Sequence, residues 1–165
     1  MDSHLGRPAS RLILCLALVF TASCGPQGES ASEIQAATNA IQQQIAKYTA
    51  ALDAADINLA SQVWLTSPEV SFINPAGHQH GWEEVKGVYT FFGSSFSERK
   101  LTVRDLAVHV NGSAAWAEFY WHFDAKLLPS GQPIQSDGRE TQVYRKAGDR
   151  WRLVHAHYSG PPMSL

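Results

Sequence analysis

The stretch Leu101-Thr102-Val103-Arg104-Asp105-Leu106-Ala107-Val108-His109-Val110-Asn111-Gly112 places apolar side chains at alternate positions, first Leu101 and Val103, then Leu106, Val108 and Val110. It ends on Asn-Gly. A period of two marks a half-buried strand, and Asn-Gly is a favoured hairpin turn. Ala114 to Lys126 then reads as a long aromatic strand, with Ala117, Phe119, Trp121 and Phe123 on one face and Trp116, Glu118, Tyr120 and His122 on the other. Beyond the loop Leu128-Pro129-Ser130-Gly131-Gln132-Pro133, the segment Gln135 to Arg145 forms a further strand, Ala147-Gly148-Asp149 a turn, and Trp151 to Tyr158 the last strand. Large residues on both faces of the aromatic strand predict two covers: helices and a cavity on one side, a partner subunit on the other.

Upstream, the period lengthens. Ile34, Ala37, Ile41, Ile45, Tyr48 and Leu52 recur every three or four residues, the stripe of an amphipathic helix, with Ser32 and Gln35 spaced as a capping box. Asp56 caps a shorter helix with Leu59, Ala60, Val63 and Trp64 inward, ended by Thr66-Ser67-Pro68. Val70 to Ile73 is a strand and Asn74-Pro75-Ala76-Gly77 a turn. A third helix runs from Trp82 to Phe92, with Val85, Val88, Tyr89 and Phe92 on one side, and Gly93 stops it. Helices first and antiparallel strands afterwards define an α+β domain with its helices on one face of the sheet.

Composition sets the limits. With 165 residues, 44% of them hydrophobic, the chain can build one core but hardly two. Thirteen basic residues against fifteen acidic ones leave a net charge of -2, which gives no basic footprint for nucleic acid. At the N-terminus Arg7 and Arg11 precede the apolar run Leu12 to Phe20 and the small residues Thr21-Ala22-Ser23, a signal peptide too short to span a bilayer. Small residues followed by Cys24 resemble a bacterial lipobox, in which that cysteine is acylated; Thr21 departs from the aliphatic residue usual there, so simple secretion is the alternative. The expected plan is a signal peptide at 1–23, a tether at 24–31 and one domain at 32–165. The protein is expected in the cell envelope on the periplasmic side, touching a membrane only through its lipid anchor. Cys15 and Cys24 both lie in this leader, so no internal disulfide is expected in the mature chain.

This order of elements resembles the nuclear transport factor two-like (SnoaL-like) superfamily, whose cone-shaped domain packs three N-terminal helices on a strongly curved antiparallel sheet enclosing a cavity. Arg150-Trp151-Arg152-Leu153-Val154-His155-Ala156-His157-Tyr158-Ser159-Gly160-Pro161-Pro162, with Gln135-Ser136 and Glu140-Thr141-Gln142-Val143-Tyr144 before it, resembles the association (hub) domain of calcium/calmodulin-dependent protein kinase II. No kinase motif accompanies it. The resemblance implies a homodimer or larger ring. The hub's carboxylate-binding arginines correspond to Trp121, Gln142 and Tyr158 here, so the implied ligand is flat or apolar rather than a strong acid.

Ala46 to Asp56 and Asn74-Pro75-Ala76-Gly77 also resemble ketosteroid isomerase. That likeness makes Tyr48 a hydrogen-bond donor to a developing oxyanion, puts Asn74 where the general base would stand, and brings that family's second, protonated acid near Thr141. An amide cannot serve as that base.

From these readings, ligand contacts are expected at Trp64, Phe72, Asn74, Trp82, Tyr89, Phe119, Trp121, Thr141, Gln142 and Tyr158. Candidate catalytic groups are Tyr48, His78 and His80, the histidines because imidazole titrates near neutral pH. The simpler reading makes Tyr48 a core residue with its hydroxyl satisfied locally, and the histidines ordinary loop or interface groups. His78-Gln79-His80 and His155-Ala156-His157 invite a metal, but only Glu83 or Glu84 could complete a site, so neither a metal nor a cofactor is expected. Two functions follow: a binding and oligomerisation module, or an isomerase, cyclase or hydratase using Tyr48 with His78 or His80.

Overall fold

Ser30 caps the first helix by accepting the Glu33 backbone N–H, while the Glu33 carboxylate accepts the Ser30 N–H at 2.8 Å. This capping box lies two residues before the expected Ser32 and Gln35, because Glu33 is the residue that can reach back as an anion. The computed structural model describes residues 29–160, so the signal peptide, Cys24 and Pro161-Pro162 lie outside the described residues. Helix α1 spans Ala31–Ala54 and buries Ile41, Ile45, Tyr48, Ala51 and Leu52. It begins one residue inside the expected tether. Asp56 caps α2 (Ile57–Val63) by accepting from the N–H groups of Asn58 and Leu59.

Strand β1 (Ser71–Asn74) is followed by a second short strand, β2 (Gly77–His80), where the sequence reading has a loop. The turn at Asn74-Pro75-Ala76-Gly77 is tight enough to pair the two strands, with Phe72 opposite Gln79 and Ser71 opposite His80. Helix α3 (Gly81–Ser95) continues past Gly93. There the glycine permits close packing rather than termination, since a Cβ at Gly93 would stand 3.2 Å from the Ala55 side chain.

Four long strands complete the sheet: β3 (Phe96–Asn111), β4 (Ala114–Leu127), β5 (Pro133–Ala147) and β6 (Arg150–Ser159). The order is β2-β1-β6-β5-β4-β3, antiparallel throughout except for β1 beside β6. Gly112, at φ 59°, closes the β3–β4 hairpin. Two bulges interrupt β3, at Glu98 and Asp105, both with positive φ, and bulges of this kind bend a strand. The domain is α+β, with three helices packed on one face of a curved six-stranded sheet.

The Asp53 carboxylate fastens α1 to β3, accepting the Leu101 N–H at 2.7 Å and pairing with Lys100 at 3.0 Å. Facing α1, the inner side of β4 is buried along Ala115, Ala117, Phe119, Trp121, Phe123 and Ala125, as its alternation predicts, while Trp116 and Tyr120 on the outer side are 40% and 42% exposed. Trp121 lies across β5 at Gly138, where an added Cβ would come within 2.3 Å of the indole ring and 2.1 Å of the Ser159 carbonyl oxygen. Gly138→Ala is therefore expected to lower stability by about 3 kcal/mol in urea unfolding. Gly87→Ala, in α3 with open space around it, should instead raise stability by about 0.5–1 kcal/mol.

Candidate functional site

Strand β5 turns Glu140, Gln142 and Tyr144 inward at successive alternate positions, and all three are buried. Side chains two apart on one face can reach each other. The Tyr144 hydroxyl donates to the Gln142 carbonyl oxygen, and the Gln142 amide donates to Glu140 at 2.7 Å. From α1 the Tyr48 hydroxyl approaches the same carboxyl. Beneath them the Trp64 indole N–H donates to the Tyr89 hydroxyl at 2.9 Å.

Glu140 opens onto a chamber of about 190 Å³ between the helices and the sheet. Its walls are Tyr48 and Leu52 of α1, Phe91 and Phe92 of α3, Phe72, Phe96, Leu101, Trp121, Phe123, Ile134 and Tyr158, with Ser136 as a second small polar group. Phe72, Phe91, Phe92 and Tyr158 also border an outer chamber of about 340 Å³ towards the β1–β2 turn. Asn74, Gln79 and Glu84 supply its polar groups, and the Asn74 amide donates to Gln79 at 2.8 Å.

Burial pushes the Glu140 carboxyl up to about 7, against the opposing effect of the donors Gln142 and Tyr48. Burial likewise drives the Tyr48, Tyr89 and Tyr144 hydroxyls far upward, each raised further by Glu140, so the phenols stay protonated. A carboxyl that changes charge near neutrality inside an apolar chamber can hold, accept or deliver a proton there.

A model of the SnoaL-like domain matches residues 41–164. The chain belongs to the SnoaL-like family. Its fold is shared with a nuclear transport factor two-like superfamily protein from Salmonella enterica serovar Typhimurium, 41% identical over 79% of this chain and 95% of that one, at a TM-score of 0.76. It is also shared with a protein from Streptomyces avermitilis assigned as a dehydratase of the same superfamily, at 19% identity, 78% and 99% coverage and a TM-score of 0.71. A third structure, from Xanthomonas campestris and assigned as a calcium/calmodulin-dependent protein kinase II association domain, agrees at 16% identity, 75% and 87% coverage and a TM-score of 0.65. No curated protein matches the chain.

In this SnoaL-like domain Tyr48, Phe72, Trp121 and Tyr158 line the inner chamber, and Asn74 the outer one. Trp64, Tyr89, Phe119 and Gln142 are buried behind the walls, and Trp82 is only partly buried, beside the core. Thr141 does not reach the cavity. It pairs with Glu118 and His157 on the outer face, because adjacent strand residues point opposite ways, and the inward neighbour is Glu140. The same parity moves His78 and His80 away from the site. Gln79, opposite the buried Phe72, faces the chamber, while the two imidazoles are exposed on the outer face with ring centroids 3.8 Å apart. His155 and His157 share that face, and Ser71 lies 2.7 Å from His155. Burial, with His157 and His78 nearby, holds the His155 imidazole below its ordinary value. Among the described residues no three His, Cys, Asp or Glu side chains are placed to hold a metal ion.

Glu140 was the residue to find. It is the one charged position in the inward series that Tyr144 and Gln142 begin.

A carboxyl whose folded pKa of about 7 exceeds its ordinary 4.5 contributes stability that is complete below about pH 4.5 and lost as pH rises through 7. That loss is on the order of 3 kcal/mol. Urea unfolding at a series of pH values should show a decline between pH 5 and 8 that Glu140→Gln flattens.

Proposed function

We propose that the protein is an exported small-molecule-binding protein that assembles through the outer face of its sheet. The observation that carries the binding reading is the aromatic chamber with one buried carboxyl at its base. Cavities of about 150 Å³ suffice for a benzene ring. A space of about 190 Å³, opening towards a more polar one, suits a single-ring molecule with a short polar substituent. Export is supported by Arg7 and Arg11 before the apolar run and by the small residues before Cys24, the candidate anchor. Assembly is supported by Trp116 and Tyr120, both exposed on the outer sheet face with Glu118 between them, His109 being stacked on Trp116 and Arg104 lying over Tyr120.

A second reading is favoured by Glu140 itself. A carboxyl poised near pH 7 beside the phenol of Tyr48 is the equipment for moving a proton between two positions of a bound molecule, as in an isomerase or dehydratase. Glu140 replaces the exposed histidines as the acid or base in that scheme, with Tyr48 as the hydrogen-bond donor.

Calorimetric titration with indole tests the chamber. Binding is expected in the wild type and should be lost in Ser136→Phe, which fills the space from β5; failure of the wild type to bind would overturn the reading. Sedimentation should show a dimer or larger ring that Trp116→Lys with Tyr120→Lys converts to monomers. A wild-type monomer would remove the assembly claim.

A further inference from the structure

We propose that the ligand of this chamber is an organic amine, bound as its ammonium ion against the Glu140 carboxyl within the surrounding aromatic faces. The proposal rests on the reading that the chamber binds a small molecule, and narrows that molecule to a charge class. Glu140 is 4% exposed and faces the inner chamber, yet among the described residues no Lys, Arg or His lines either chamber. The titratable groups that sense its charge are all phenols: Tyr48 from α1, Tyr89 from α3, Tyr144 from β5 and Tyr158 from β6. The β4 residues opposite, Phe119 and Trp121, carry no charge, and the acid at the outer chamber, Glu84, has the same sign. Buried carboxylates are ordinarily paired, and no cation faces this one among the described residues.

The rest of the chamber suits the missing partner. Tyr48, Phe72, Phe92, Trp121, Phe123 and Tyr158 present rings whose negative faces attract an ammonium and repel an anion. Gln142 already donates to Glu140, which prepares the carboxyl as an acceptor rather than a donor. An aliphatic amine stays protonated well above the pH at which a carboxyl ionises, so its arrival favours the ionised form of Glu140 and releases the proton that the empty chamber retains. An anionic ligand would place two like charges in one apolar space whenever Glu140 is ionised, and a neutral one would leave the carboxyl protonated and gain no ion pair.

Phenethylamine, phenethyl alcohol and phenylacetate share a ring and chain length and differ in charge. In calorimetry at pH 8 the amine is expected to bind at least about tenfold more tightly than the alcohol, and phenylacetate more weakly than either. Glu140→Gln should bring the amine down to the level of the alcohol while leaving the alcohol within about threefold. Should that variant fail to fold, the wild type gives a second measurement: amine affinity rising between about pH 6 and 8, with proton release visible in buffers of different ionisation enthalpy. An alcohol or carboxylate that binds as well as the amine, or an amine affinity without pH dependence and proton release, would overturn the proposal while the binding reading stands. If indole binds but none of the three probes does, the amine proposal alone fails; if indole fails as well, both fall.

Discussion

A carboxyl withdrawn from water needs donors around it, and on β5 the pleat provides them. Glu140, Gln142 and Tyr144 stand on the same face at every second residue, so each side chain reaches the next and the last reaches the cavity. The arrangement holds only if that face is covered. Helix α1 covers it, kept against β3 by the Asp53 carboxylate at one end and by its own stripe of Ile41, Ile45, Tyr48 and Leu52 along its length. The residues that make the helix amphipathic thus include the phenol that completes the polar group. Fold and site share one set of contacts.

Most of the architecture was legible because it rests on periodicity. The α1 stripe, the Asp56 cap, the alternation on β4 and the turns around Gly112 and Gly148 all appear where local patterning places them. Features set by packing were harder to read. Gly93 looks like a helix stop until Ala55 is known to lie against it, and β2 looks like a loop because its four residues, Gly77–His80, carry no apolar alternation of their own. The site was half legible. Tyr48, Phe72, Trp121 and Tyr158 follow from aromatic content on inward positions, whereas Thr141 and Gln142 could not both face the cavity, being adjacent in a strand. Applying that parity from the buried Tyr144 leads to Glu140, and applying it on β2 selects Gln79 over the histidines.

The comparisons establish the shared fold. At 16% and 19% identity a common fold can carry entirely different wall residues, so the Xanthomonas and Streptomyces structures describe the scaffold and not its contents. In this chain the wall consists of rings from four strands and two helices around a single acid. The outer sheet face has a character of its own, with four histidines on β2 and β6 at one end and the Trp116 and Tyr120 pair nearer the other.

The hydrogen bonds along β5 also have a direction. Because the Tyr144 hydroxyl donates to the carbonyl oxygen of Gln142, the amide presents its nitrogen to Glu140, and turning it round would take that acceptor from the Tyr144 hydrogen. In this arrangement a protonated Glu140 does not give its hydrogen back along the strand. The Tyr48 oxygen or an occupant of the chamber is placed to receive it, so Tyr144, a residue that does not line the chamber, biases which way the acid points its proton.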